Sequence, residues 1–259
     1  MRSLTSALKT GGEVGEPLPP VFQGWVEKGA DIRRGQLTML ASGPGGGKSA
    51  LALTLAYRAR VPTLYIAPDS DAYTSFTRLA AMMSGDTTAD VENAVRTGTN
   101  LAHYESLVGE TNEYIRWDFR ENPHVDDIVE SVESFAHLFG QYPSLVVFDN
   151  LGDVYSDDEN ESQGLKKNLH TLKMLAGESN AAVLVLHHLT GEYESGDVPP
   201  PLSALAGKVS KPQSLVITLF RARYGDVGTC IVKNRFGEAD PRGNARVYLE
   251  ADLARMRIT

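Results

Sequence analysis

The chain has 259 residues, 42% of them hydrophobic, a net charge of −8 and a single cysteine, Cys230. One cysteine excludes an intrachain disulfide framework and suits a reducing compartment; the start lacks the apolar run of a signal peptide, and no apolar stretch approaches the ~20 residues of a membrane span. The expectation is a cytoplasmic protein with no membrane segment and one large or two small α/β domains, and its acidic balance weighs against nucleic-acid binding.

Residues 1–23 carry Gly11, Gly12, Pro17, Pro19 and Pro20 and read as an arm or linker with a short helical pattern over 3–9, poised to pack on a neighbour. A single domain is expected over 24–259. Residues 37–41 are mostly apolar and read as a buried strand; Ser42, Gly43, Pro44, Gly45, Gly46, Gly47, Lys48 and Ser49 follow, then a helical pattern with Leu51 and Leu55. Strand, glycine loop, Lys-Ser and helix form the phosphate-binding arrangement of P-loop NTPases. Glycines let the backbone curl with its N–H groups inward, and the positive end of the helix adds to the anion site. Lys48 is expected on the β/γ-phosphates of ATP and Ser49 on Mg²⁺. Ser42 stands where the motif usually opens with glycine, so a merely structural turn is the competing reading; four glycines closing on Gly-Lys-Ser weigh against it.

Residues 61–67 read as a second buried strand, and Asp69 and Asp71 follow it, ahead of a helix over 73–84. Asp69 then sits at the C-terminal edge of a strand, where open α/β sheets place their ligands. Catalysis and helix capping compete for the pair, and one residue can do each. Residues 86–113 are polar and read as helix plus loop, 114–119 as a strand. A helix is expected from 122 to 139 with Val125, Ile128, Val132, Phe135 and Leu138 on one face. His124 and His137 fit surface or interhelical places, and no zinc-ligand cluster is visible.

Residues 144–150 form an apolar run ending in Asp149, the Walker B pattern of a buried parallel strand, with Asp149 expected to hold Mg²⁺ through water or Ser49. The acidic stretch 153–161 is either a solvated loop or a second divalent-metal site. After a helix over 165–177, the strand 181–186 ends in His187 and His188. Strand side chains alternate, so one faces a γ-phosphate and the other is structural. The segment 203–213, with Lys208 and Lys211, is placed to face a substrate. A strand over 214–220 precedes an antiparallel pair, 228–232 and 245–249, bracketing Lys233 and Arg235. Over 205–259, ten Lys or Arg stand against five acids, a local balance of +5 that leaves −13 on the rest.

In this order the parts resemble the RecA-type ATPase core, and more narrowly the motor domain of DnaB-type replicative helicases and related phage-encoded ATPases, over residues 24–252. The resemblance implies a mostly parallel twisted sheet with helices on both faces and a C-terminal antiparallel edge. It implies Mg²⁺-dependent ATP hydrolysis coupled to DNA binding or translocation, in a hexameric ring with nucleotide between subunits. The run from Val232 to Gly237 is similar to the Lys-x-Arg motif that reaches a neighbour's nucleotide, making Lys233 and Arg235 trans-acting phosphate sensors and Arg235 the arginine finger. The strand before Asp69 resembles the one ending in a catalytic glutamate, with Asp71 as fallback, and His188 falls on the polar γ-phosphate sensor. Two departures stand out: no counterpart of the primase-interacting domain, and an acidic loop after Asp149 that repels phosphate. The alternatives are a repair or recombination protein with metal-dependent nuclease activity at that loop, and a nucleotide-switched assembly ATPase that ignores DNA.

Overall fold

The computed structural model describes residues 15–155 and 160–259. Eight strands form one sheet: β1 (Leu37–Ser42), β2 (Thr63–Ile66), β3 (Ile115–Asp118), β4 (Leu145–Phe148), β5 (Ala182–His188), β6 (Leu215–Arg221), β7 (Val227–Asn234) and β8 (Arg246–Leu249), in the order β3-β2-β4-β5-β1-β6-β7-β8. From β3 to β6 all neighbours pair in parallel; β7 pairs antiparallel with β6 and with β8. Parallel strands covered on both faces need apolar residues on both, and every residue of β1 and β4 is buried. Edge strand β8 instead alternates exposed and buried.

Alternation divides the core in two. Leu40, Tyr65, Val147, Leu184 and Ile217 meet Leu51 and Leu55 of α2 (Lys48–Ala59) and Leu79 of α3 (Ala72–Ser84), after the short α1 (Gln23–Glu27). Met39, Ile66, Val146, Val185 and Val216 meet α6 (Val125–Phe139) and α7 (Glu161–Ser179) through Ile128, Val132, Leu165, Leu169 and Leu172. Expected face residue Leu138 is 77% exposed, because at 100° per residue it falls on the flank of the stripe that Val125, Ile128, Val132 and Phe135 bury.

Residues 86–113 hold two helices, α4 (Thr88–Thr97) and α5 (Leu101–Glu110). Thr87 and Asp90 form a reciprocal capping box for the first, and Gly98 ends it at φ +73°. Of the expected arm, Leu18 and Phe22 turn inward, while Glu16, Pro17, Pro19 and Pro20 stay exposed. Leu18 and Phe22 are buried in the main cluster, and Leu18 N donates to Ile32 O at 2.8 Å. Trp25 Nε1 then donates to Thr229 Oγ1 of β7 at 3.0 Å, stapling this entry segment to the sheet. The helical pattern at 3–9 and the acids Asp157, Asp158 and Glu159 lie outside the described residues. No helix among the described residues is long and apolar enough to cross a membrane.

Candidate functional site

All parallel strands end at one edge of the sheet, and the chemistry-bearing residues gather there. Between β1 and α2 the loop turns through Gly45 at φ +68° and Gly47 at φ +86°, the left-handed region that glycine enters at low cost. No side chain caps α2, which leaves its first-turn N–H groups to an anion. Ser42, the departure from the usual glycine, is fully buried and donates to Gly43 O at 2.8 Å. A side chain at Gly46 would lie 2.8 Å from Ser42 Cβ, so Ser42 fills the space beneath the loop.

Lys48 points among carboxylates. Burial holds its ammonium below the ordinary pKa, while Asp149, Asp153 and Asp69 pull it back up. Asp149 follows β4, and its N–H donates to Ile66 O at 2.9 Å. Its carboxyl accepts from the Ser49 hydroxyl and from Tyr65 Oη at 3.3 Å. Burial pushes its pKa up against those bonds and against the charges of Lys48 and Arg78. Asp153, in the turn after Asp149, accepts from Asn150 N at 3.3 Å, and burial raises its pKa too.

The two aspartates after β2 separate in role. Asp71 Oδ1 accepts from Thr74 N at 2.6 Å and caps α3, and that bond lowers its pKa. Asp69 caps nothing; it is exposed, and its charge acts on Lys48, Asp153 and His188. The histidines separate likewise. His187 is buried with Nε2 2.9 Å from Ala206 O, whereas His188 pairs in register with Ser42 and faces the charges of Lys48, Asp69 and Glu194. Burial lowers the pKa of His188, which favours a neutral ring.

Lys233 and Arg235 are not brought to this site. Val227, at the start of β7, is 3.3 Å from where a Cβ on Gly47 would stand. Six residues on, at about 3.4 Å per residue, Lys233 is about 20 Å away at the opposite edge, where Asn234 pairs with Leu215. Lys233 Nζ donates to Ser210 O at 2.6 Å and Lys211 O at 3.0 Å within its own chain. Arg235 is exposed.

The structure adds Tyr65, Arg78, Asp153 and Glu194 to the site. Tyr65, Arg78, Ser70 and Ser75 line a small cavity with Ser49 and Asp149. Glu194 O presses on Gly43, 2.1 Å from where a Cβ would stand. Only Asp153 had a local signal, a carboxylate one turn beyond Asp149; the others meet the site from distant segments. The donors fit Mg²⁺, a hard ion that takes oxygen ligands, because the Ser49 hydroxyl and the Asp149 carboxylate already bond each other. Among the described residues no cluster of three or more His, Cys, Asp or Glu forms a further metal site.

Comparison with known proteins agrees with this geometry. A family model described as an AAA domain matches residues 14–192. The Gene 65 protein of Mycobacterium phage L5 is 34% identical over 248 residues, covering 92% of this chain and 91% of that protein. The Gene 65 protein of Mycobacterium phage D29 is 33% identical over 222 residues, covering 83% and 94%. Among solved structures, an ATPase domain superposes with TM-score 0.82 at 15% identity over 98% of this chain and 95% of that one. A DnaB-like replicative helicase, solved in a study of its interactions with primase, gives TM-score 0.81 at 17% identity over 100% of this chain and 67% of that one. The chain therefore belongs to the AAA-domain family, and it is a P-loop ATPase on the RecA-like fold of DnaB-type helicase ATPase domains.

Proposed function

We propose that this ATPase is a Mg²⁺-dependent, DNA-coupled motor that works as a closed ring, in the host cytoplasm of a phage infection. The observation that carries the ring is the separation of Lys48 and Asp149 from Arg235, at opposite edges of one sheet. An arginine so placed serves a nucleotide only on a neighbour, and head-to-tail contacts repeated around a rotation axis close into a ring. The hexamer that the resemblance implies is the size proposed for it.

For DNA, the support is a groove lined by Leu202, Ser203, Lys208, Ser210, Pro241 and Arg242. It holds two cations, no acid and apolar walls, a composition suited to a phosphate backbone with its sugars. It lies in the C-terminal stretch that carries the positive charge balance.

In the proposed mechanism, the loop N–H groups and Lys48 hold the β- and γ-phosphates. Ser49 and Asp149 hold Mg²⁺, which supplies neutralisation of phosphate charge. Asp69 accepts a proton from a water molecule as the water oxygen bonds the γ-phosphorus and the bond from phosphorus to the ADP oxygen breaks. His188, neutral, donates to the γ-phosphate and reports its loss, and Arg235 of the adjacent subunit stabilises charge in the transition state.

The test is steady-state ATP hydrolysis with and without single-stranded, duplex and forked DNA, with Lys48→Ala as blank. Stimulation by DNA, lost in Arg235→Ala and partly restored by mixing Arg235→Ala with Lys48→Ala subunits, is the expected result. Hydrolysis indifferent to every DNA refutes the motor and moves the function to a nucleotide-switched assembly ATPase, the reading that the net charge of −8 favours.

A further inference from the structure

Between β5 and β6 the chain crosses from the P-loop edge of the sheet to the opposite edge, and its carbonyls are taken one after another. His187 Nε2 meets Ala206 O at 2.9 Å, Ser162 Oγ donates to Gly207 O at 3.1 Å, and Lys233 Nζ donates to Ser210 O and Lys211 O at 2.6 and 3.0 Å. A carbonyl only accepts, so Nε2 carries the ring proton. Nδ1 is then a bare acceptor, buried and with no hydrogen-bond partner among the described residues. Among the described residues the contact to Ala206 is thus the one polar bond this buried ring makes, and burial also keeps it neutral.

Inside these anchors stand Gly207 at φ +64° and Lys208 at φ +52°, two consecutive left-handed residues. A lysine rarely adopts that conformation, so bonds from outside the turn have to hold it. The turn is what brings Lys208 into the groove with Ser210 and Arg242. The anchors come from α7, β5 and β7, three elements that meet only in the folded chain.

We propose that His187, Ser162 and Lys233 form a clamp on the backbone of residues 206–211 that fixes the left-handed Gly207–Lys208 turn, making His187 and Lys233 positioning residues for the contact of Lys208 with a nucleic-acid phosphate. The nucleic-acid part rests on the DNA reading above; the clamp itself does not.

His187→Leu, His187→Gln and Ser162→Ala in the full chain test it, by DNA affinity from anisotropy of a labelled single strand, DNA-independent ATPase rate, and amide hydrogen exchange over 206–211. His187→Leu weakens DNA binding about two- to tenfold, the range one net hydrogen bond supports. It speeds exchange in the segment and leaves the DNA-independent rate as it is. His187→Gln, which keeps an N–H donor, recovers part of the loss. Wild-type affinity and exchange in His187→Leu, or equal losses in Leu and Gln, overturn the clamp. If His187→Leu does not fold, Ser162→Ala on the partly exposed flank decides by the same two readouts. If the wild type binds no DNA, the DNA reading fails, and unchanged exchange over 206–211 in the variants overturns the clamp separately.

Discussion

Replacing Gly43 with alanine probes how the glycine loop is held. A Cβ at this position would lie 2.1 Å from Glu194 O and 2.8 Å from Glu194 C. Carbon–oxygen contacts close to about 3.3 Å, so loop or turn must retreat by about 1 Å. The obstructing atoms are backbone, and no rotamer relieves them. Both possible movements damage the site, because the loop carries the phosphate-facing N–H groups and the turn carries Glu194 beside His188. A displacement of about 1 Å in a positioned site costs about 10²-fold in rate. Gly45→Ala is the control, because nothing lies within 4 Å of its Cβ and only the left-handed φ of +68° opposes it. That strain costs about 1–2 kcal/mol, or about tenfold in the population of the native loop. The assay is kcat/KM for ATP beside the thermal midpoint. Gly43→Ala is expected to fold and lose about 10²-fold, and Gly45→Ala about tenfold. A Gly43→Ala protein with wild-type kcat/KM refutes the contact.

Tyr65→Phe removes a buried donor 3.3 Å from Asp149. Hydrogen bonds to charged acceptors contribute about 1.5–3 kcal/mol, and at this length the lower end applies, so the Mg²⁺ needed for half-maximal hydrolysis should rise about tenfold; an unchanged Mg²⁺ titration contradicts this. Burial and the 2.8 Å bond to Asp86 push the Tyr104 phenol up to about 12. A pKa raised on folding gives stability held below the unfolded value of about 10 and lost as pH rises from there through about 12. Tyr104→Phe should flatten the thermal midpoint over that window, and a slope equal to wild type contradicts it. Leu169 is fully buried beneath the sheet, and Leu169→Ala should cost about 2–5 kcal/mol in denaturant unfolding; a loss under about 1 kcal/mol contradicts its place in the core.

The parts of the nucleotide site that were legible in the sequence are those whose atoms are contiguous in the chain. A glycine loop between strand and helix makes its own cradle, so residues 42–49 declared themselves. Asp149 did so because an apolar run marks a doubly covered strand and its end is an edge. The charge skew of the last 55 residues was likewise a property of composition. What composition and spacing could not decide was which of two adjacent, chemically equal groups faces the ligand. Asp71 lost its freedom to the Thr74 amide, and His187 turned to the opposite face of the sheet from His188, choices made by helix geometry and by the register of β5 on β1. Tyr65 meets Asp149 across 84 residues of sequence, and Lys233 meets Ser210 across 23. The burial of Leu18 and Phe22 within a Pro-rich stretch has the same origin. Contacts of this kind exist only once the sheet order has set distant strands side by side, and for that reason the tertiary structure alone decided them.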